Sequence, residues 1–140
     1  MKNILTLSTL WLSMLTLSAV PLRIPAFSAY LDPNPEGAEV SQQSGITDWK
    51  DPALKVLWFG EIKTPGKLDA ALVVRLPKGE QSKLRLTVAG QSHEIIATGA
   101  GQDLVTVSFG SFDLPKAGYQ RFTLESLNAA GKSAGDLDAL

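Results

Sequence analysis

Alternation of apolar and polar residues dominates the second half of the chain. Apolar residues occupy every second position from Leu68 to Leu76, and the pattern returns from Leu84 to Val88 between charged and hydroxyl neighbours. A period of two places these residues on one face of a β-strand. About seven or eight such segments follow one another between Gly and Pro turns, and no stretch after residue 28 carries a helical stripe. The pattern predicts an all-β domain built as an antiparallel β-sandwich or barrel.

The start of the chain follows a different pattern. After a short positive segment, residues 4–20 are almost entirely apolar or hydroxyl-bearing and uncharged. This is typical of a secretory signal peptide. The small residues Ala26 and Ser28 indicate cleavage between Ser28 and Ala29, and Ala19 is a second candidate site. Because the apolar run is close to the roughly 20 residues that cross a bilayer, an uncleaved membrane anchor is the alternative.

The sequence therefore divides into a signal peptide at residues 1–28, a linker at residues 29–37 and a β-domain at residues 38–140. Two prolines stiffen the linker, because proline fixes its own φ and restricts the residue before it. The chain ends at Leu140 within an expected strand, without the usual turn or polar tail. We expect the natural protein to continue and this domain to be its N-terminal module.

The composition indicates in which compartment the protein acts and which class of partner it does not suit. The chain has no cysteine, which excludes a disulfide framework and a lipid-modified cysteine anchor. An exported domain without disulfides is typical of a bacterial secreted or periplasmic protein, free of the membrane after cleavage. Without Lys2 and Arg23, eleven of the thirteen bases remain against fourteen acids, a formal charge of −3. The bases do not cluster, so we expect no nucleic-acid partner.

Motifs of known enzyme classes are missing. Gly131-Lys132-Ser133 resembles the end of a phosphate-binding loop, but Ser126 stands where its first glycine belongs. The only histidine is His93, which excludes sites with several histidines, and no Gly-x-Ser-x-Gly elbow accompanies it. A pair of carboxylates for glycoside hydrolysis stays open, because their separation is spatial and not sequential. We predict a noncatalytic protein, with a small hydrolase as the weakest alternative.

The segment from Gly45 to Phe59 is the best candidate for a ligand site, since it holds two of the three tryptophans, Trp49 and Trp58. The indole of Trp49 could stack on a sugar ring while Asp48 and Asp51 accept hydrogen bonds from hydroxyls. The alternative is that Trp49 folds inward and closes the end of the sandwich, because large aromatic residues are usually buried.

The neighbours Trp58 and Phe59 should point to opposite faces of one strand. One of them should lie in the core, and the other should line a concave face or lie beneath a following domain. Trp58 is a candidate ligand residue, although it is also the tryptophan that we expect to hold the fold together.

Five short segments follow one another along the chain: Gly45–Pro52, Pro65–Leu68, Leu84–Gly90, Pro115–Tyr119 and Gly135–Leu140. In this order they resemble the bacterial DUF5077 domain over about residues 38–140. That family looks like a carbohydrate-binding module with a galactose-binding-like jelly roll, and it commonly precedes a DUF3472 domain in secreted proteins. The resemblance implies a jelly-roll sandwich with a noncatalytic binding role.

Sugar-binding jelly rolls that look related often hold a structural calcium ion between their first and last strands, where a glutamate meets an aspartate. This likeness implies Glu39 with Asp136 or Asp138 as ligands, since calcium prefers several carboxylate and carbonyl oxygens. The alternative is that these acids are simply solvated.

The main hypothesis is a secreted, noncatalytic module that binds glycan weakly, positions a downstream domain, or does both. The second hypothesis is a structural or protein-interaction sandwich without a sugar ligand, in which Trp49 is buried and Trp58 contacts a neighbouring domain.

Overall fold

Two five-stranded antiparallel sheets pack face to face in the computed structural model, which describes residues 20–140. A 3₁₀ turn at Ala26–Ser28 precedes the strands, which are β1 (Tyr30–Asp32), β2 (Glu39–Ser41), β3 (Gly45–Thr47), β4 (Lys55–Ile62), β5 (Gly66–Arg75), β6 (Gln81–Val88), β7 (Gln91–Thr98), β8 (Val105–Leu114), β9 (Gly118–Ser126) and β10 (Asp136–Ala139). The first sheet has the order β1-β4-β9-β6-β7 and the second the order β2-β3-β10-β5-β8. The predicted all-β antiparallel sandwich is therefore confirmed.

The core lies between the sheets and uses the alternating residues that the sequence pattern singles out. In β6, and in β5 from Ala70 onwards, every second side chain is buried, while the side chains between them are exposed or half-buried. β4 alternates in the same way from Lys55 to Phe59, and β9 does so from Arg121 to Ser126. The inward side chains of these four strands include Leu72, Val74, Leu84, Leu86, Val88, Val56, Trp58, Phe122 and Leu124.

Two strands were not predicted. β1 lies inside the segment interpreted as a linker, and it pairs with β4 through Tyr30 and Leu57. β3 lies at the start of the segment from Gly45 to Phe59, which was interpreted as a ligand site and not as a strand, and it stands between β2 and β10. Each is only three residues long, too short for a period of two to show. The linker prediction is thus corrected for residues 30–32.

Residues 23–28, which the sequence analysis placed in the signal peptide, belong to the sandwich. The backbone N–H of Ile24 donates to the carbonyl of Leu140 at 2.8 Å, and the N–H of Leu140 donates back to Ile24 at 2.9 Å. Ala26 is fully buried in the core. The carbonyl of Pro25 accepts a hydrogen bond from the Trp58 indole at 3.4 Å.

Cleavage between Ser28 and Ala29 would remove all of these contacts, whereas cleavage at Ala19 would keep them. The rest of the expected signal peptide, residues 1–19, lies outside the described residues. Between residues 20 and 140, no helix is long and apolar enough to span a membrane.

Side chains of β7 close one long side of the sandwich by reaching the backbone of β8. Gln91 donates from Nε2 to the carbonyl of Asp113 at 2.6 Å and accepts from the Asp113 N–H at 3.0 Å. The Nδ1 atom of His93 lies 2.7 Å from the carbonyl oxygen of Phe109. The His93 ring stacks on the Phe112 ring, with the two ring centroids 4.2 Å apart. His93 therefore serves to join the two sheets.

Candidate functional site

The structure places Trp49 in the core, where its side chain is fully buried. Its indole N–H donates to the carbonyl of Asp51 at 2.9 Å, which satisfies the one polar group of the ring. Asp48 just before it has a positive φ of 58°, a conformation that aspartate tolerates better than most residues. A buried indole has no face free for a sugar, so the role predicted for Trp49 is corrected in favour of the inward alternative.

The carboxylates beside Trp49 are exposed and stabilise the loop itself. Asp48 forms an ion pair with Lys50, and the hydrogen bond between these side chains raises the pKa of Lys50. Asp51 accepts a hydrogen bond from the N–H of Ala53 at 2.8 Å, the local contact typical of aspartate in turns. With Trp49 buried, neither acid has the indole face beside it that the sugar site requires.

Trp58 and Phe59 divide as the alternation of a strand requires. Trp58 is 2% exposed and lies in the core, whereas Phe59 is 57% exposed on the outer face of the first sheet. The prediction that one of them is a core residue is confirmed. The expectation that Trp58 faces a ligand is corrected, because its ring is enclosed between the two sheets.

An exposed row of aromatic side chains crosses the outer face of the first sheet. We call Tyr30, Phe59 and Tyr119 the aromatic strip. They are 67%, 57% and 82% exposed, more than any other aromatic side chain among residues 20–140. They come from β1, β4 and β9, which are adjacent in the sheet. Three aromatic side chains are thus held in solvent by the same rigid surface.

Strand register sets the spacing of the strip. Tyr30 lies opposite Leu57, Phe59 lies opposite Arg121, and Tyr119 lies opposite Glu61, so each ring is the diagonal neighbour of the next. The rings of Tyr30 and Phe59 meet edge to face with centroids 5.9 Å apart and planes at 70°. Each diagonal step is about 7–8 Å between Cα atoms, so the strip extends over roughly 15 Å.

Two charged groups flank the strip. Arg121 lies directly across from Phe59, and Glu61 lies directly across from Tyr119. Both are exposed, and neither belongs to an ion pair within residues 20–140. A guanidinium donor and a carboxylate acceptor are therefore free beside the aromatic rings.

Charges farther along the same face are already paired. Glu94 on β7 contacts Lys83 at 2.8 Å and Arg85 at 2.6 Å. Hydrogen bonds from Lys83 and then Arg85 lower the pKa of the Glu94 carboxyl. These side chains join β6 to β7, so they are less available to bond a ligand than Arg121 and Glu61 beside the strip.

Two concave regions lie elsewhere in the described part of the chain. A groove of about 750 Å³ lies among residues 20–24, β5 and the end of β4, where Glu61 lies at its rim. A polar hollow of about 550 Å³ lies among loops at one end of the sandwich, where Arg75, Lys78, Glu80 and Asp136 line it. Neither is lined by an exposed aromatic ring, which makes the aromatic strip the better candidate for a stacking ligand.

The residues predicted to hold calcium do not form a cluster. Glu39 lies on β2, and Asp136 and Asp138 lie on β10, with β3 between the two strands. Asp138 forms an ion pair with Arg23. Within residues 20–140, no group of three or more histidine, cysteine, aspartate or glutamate residues is placed to hold a metal ion. Calcium at these positions stays a prediction from the likeness to other jelly rolls.

None of the three strip residues was predicted as a ligand residue: the sequence placed one of Trp58 and Phe59 outside the core, but Trp58 was the one named as the candidate. The exposure of Tyr119 follows from the pattern of β9, since inward Phe122 and Leu124 place every odd-numbered residue outward. Tyr30 carries no such signal, because β1 is a three-residue strand inside a proline-rich segment.

Solved structures with the same fold include domains of larger carbohydrate-active enzymes. The exo-β-1,3-galactanase of Phanerochaete chrysosporium matches with a TM-score of 0.63 and 16% identity over 86% of this chain and 29% of that one. The GH26-CBM35 β-(1,4)-mannanase of Podospora anserina matches with a TM-score of 0.62 and 15% identity over 84% of this chain and 26% of that one. The chain thus spans little more than a quarter of either enzyme.

A free-standing domain is similar over almost its whole length. The family 35 carbohydrate-binding module of Clostridium thermocellum matches with a TM-score of 0.52 and 17% identity, over 86% of this chain and 97% of that one. At such identities the likeness shows a shared fold, which confirms the predicted jelly-roll sandwich, and does not by itself show a shared ligand.

Sequence comparison identifies the family. No curated protein matches the chain. Residues 20–140 match the family described as a domain of unknown function, DUF5077. The match begins before the 3₁₀ turn and includes Ile24, which pairs with Leu140, so the matched segment is longer than the predicted domain at 38–140. The chain belongs to the DUF5077 family.

Proposed function

We propose that this protein is a noncatalytic glycan-binding module and that the aromatic strip is its binding surface. One observation carries the proposal: the three most exposed aromatic side chains among residues 20–140 lie on one face of one sheet. A sugar ring presents C–H groups on its faces and hydroxyls at its rim. The rings of the strip suit the faces, and Arg121 and Glu61 can bond the hydroxyls.

Weak binding follows from the shape of this face. Enclosed pockets bury most of a ligand, whereas an open sheet leaves one side of a bound sugar in water. The gain from each stacked ring must also offset the ordering of the ligand. A module that binds weakly is useful when it holds a second domain near a polymer. This agrees with the galactanase and the mannanase, in which the matching domain makes up only 29% and 26% of the chain.

A noncatalytic role is supported by the groups beside the strip. Most glycoside hydrolases need two carboxyl groups about 5–9 Å apart across the scissile bond. Glu61 is the one carboxylate directly across from a strip residue. The other acids near the strip on this face are Asp32 and Glu125. Asp32 lies opposite Lys55, six positions along β4 from Glu61 and so about 20 Å away, and Glu125 lies 3.5 Å from Lys55 in an ion pair. We further propose export to the periplasm or the medium, where glycan polymers are accessible.

Single substitutions in the strip should weaken glycan binding without unfolding the protein. We expect Phe59→Ala and Tyr119→Ala each to raise Kd about tenfold, the usual cost of losing a central aromatic contact. Because both side chains are exposed, the melting temperature should change by only a few degrees. Affinity electrophoresis and calorimetry against plant, bacterial and host glycans measure the first effect, and thermal unfolding measures the second.

Ile96→Ala is the matched control. Ile96 is 58% exposed on β7 of the same sheet, away from the strip, so its removal should leave Kd unchanged. Lack of binding to every glycan tested would refute the proposal. Equal weakening by Ile96→Ala and Tyr119→Ala would show that the strip is not the site.

A second candidate function is contact with a neighbouring domain or protein. Tyr30 and Phe59 pack edge to face in a patch that also includes half-buried Leu57, and exposed apolar patches often mark protein interfaces. In that case the strip variants would reduce association in a longer chain or a complex, measured by sedimentation, while no glycan would bind.

A further inference from the structure

We infer that the aromatic strip binds an internal stretch of an extended, uncharged glycan and does not recognise a chain end. This inference rests on the proposed function and concerns the same surface. It names the class of ligand that the geometry of the strip accepts.

The length of the strip calls for several consecutive sugar units. Its three rings lie on three adjacent strands and cover roughly 15 Å along a diagonal. One sugar ring can cover only one aromatic ring at a time. A ligand that contacts Tyr30, Phe59 and Tyr119 together must therefore be an extended chain.

Both ends of the strip are open. Tyr30 lies on β1, the edge strand of the first sheet, and Tyr119 is the second residue of β9. Their exposures of 67% and 82% show that no neighbouring segment among residues 20–140 encloses them. Recognition of a chain end requires a wall that stops the polymer, and the strip has none at either end.

The charges beside the strip do not favour an anionic ligand. Arg121 and Glu61 contribute one charge of each sign, and the nearby Lys55 and Glu125 neutralise each other. Asp32 on β1, opposite Lys55, adds one exposed negative charge to the same face. A polyanionic glycan would be attracted by Arg121 and repelled by Glu61 and Asp32. Affinity for the correct ligand should therefore depend little on salt, because exposed charges act weakly beyond the screening length of about 8–10 Å.

A length series tests the inference. The probes are β-1,3-galactan, β-1,4-mannan, β-1,4-glucan and β-1,4-xylan oligosaccharides of one to six units, with polygalacturonate as the charged counterpart. For at least one neutral series, Kd should fall about tenfold or more between one unit and the longer oligomers and then level off. Reducing the end sugar to its alditol should leave the Kd of the six-unit probe unchanged, and raising NaCl from 50 to 500 mM should change it less than about twofold.

Variants at the two ends of the strip sharpen this test. Tyr30→Ala and Tyr119→Ala should each raise the Kd of the six-unit probe more than the Kd of the two-unit probe. The reason is that a two-unit chain still has two adjacent aromatic rings to occupy in either variant. Ile96→Ala should affect neither. A monosaccharide that binds as tightly as the six-unit probe, loss of binding after end reduction, or preference for polygalacturonate would overturn the inference and leave the proposed function standing. Absence of binding across these probes and the wider glycan panel would overturn both.

Discussion

Trp49→Ala is expected to lower the free energy of unfolding by about 3–5 kcal/mol, the usual cost of replacing a buried tryptophan with alanine. The side chain is fully buried and fills the core beside the loop between β3 and β4. Its indole also donates to the Asp51 carbonyl at 2.9 Å, a bond that the alanine variant loses. Denaturant titration measures the change, and calorimetry should show the melting temperature falling by roughly 10–20 °C.

Lys50→Ala controls for general effects on this loop. Lys50 is exposed and pairs only with exposed Asp48, and such pairs contribute about 0–1 kcal/mol. Lys50→Ala should therefore change the free energy of unfolding by no more than that.

The Trp49→Ala variant should still bind glycan. At a temperature where this variant is folded, its Kd for glycan should equal that of the unchanged protein. If the variant kept its stability and lost binding instead, the ligand role first predicted for Trp49 would be restored.

The fold was predictable where strands are long enough to show their period. β5 has ten residues and β6 has eight, and their alternating burial follows directly from the sequence. β1 and β3 have three residues each and exist because partner strands supply the hydrogen bonds. Such strands depend on pairings across long sequence separations, which local pattern cannot show.

The candidate site was harder to predict because it is assembled by topology. Tyr30 and Tyr119 are 89 positions apart in the chain, and they share a face only because β1 and β9 both pair with β4. Trp49 carried the stronger local signal, an indole between carboxylates in a loop. That signal did not distinguish a binding residue from a core residue, because both uses favour a large aromatic side chain.

Removal of residues 20–28 is expected to destabilise the sandwich by roughly 3–6 kcal/mol. Two backbone hydrogen bonds between Ile24 and Leu140 would be lost, each contributing about 0.5–1.5 kcal/mol. The core surface that Ala26 and Ile24 cover would become exposed to water, at a cost of about 25 cal/mol for each Å². The indole N–H of Trp58, 2% exposed, would also lose the Pro25 carbonyl. Urea unfolding of chains starting at Val20 and at Ala29 measures the difference.

The same comparison decides between the two candidate cleavage sites. Because a domain of this size has only about 5–15 kcal/mol of stability, a protein that begins at Ala29 would be partly unfolded or readily degraded. If the protein is exported as proposed, we therefore expect mass spectrometry of the processed chain to find an N-terminus before Arg23, as cleavage at Ala19 would give. Arg23→Ala serves as a mild control, since its ion pair with Asp138 is largely exposed and should contribute less than about 1 kcal/mol. A stable exported chain that begins at Ala29 would show that residues 20–28 are dispensable, and the core would then have to close over Trp58 without them.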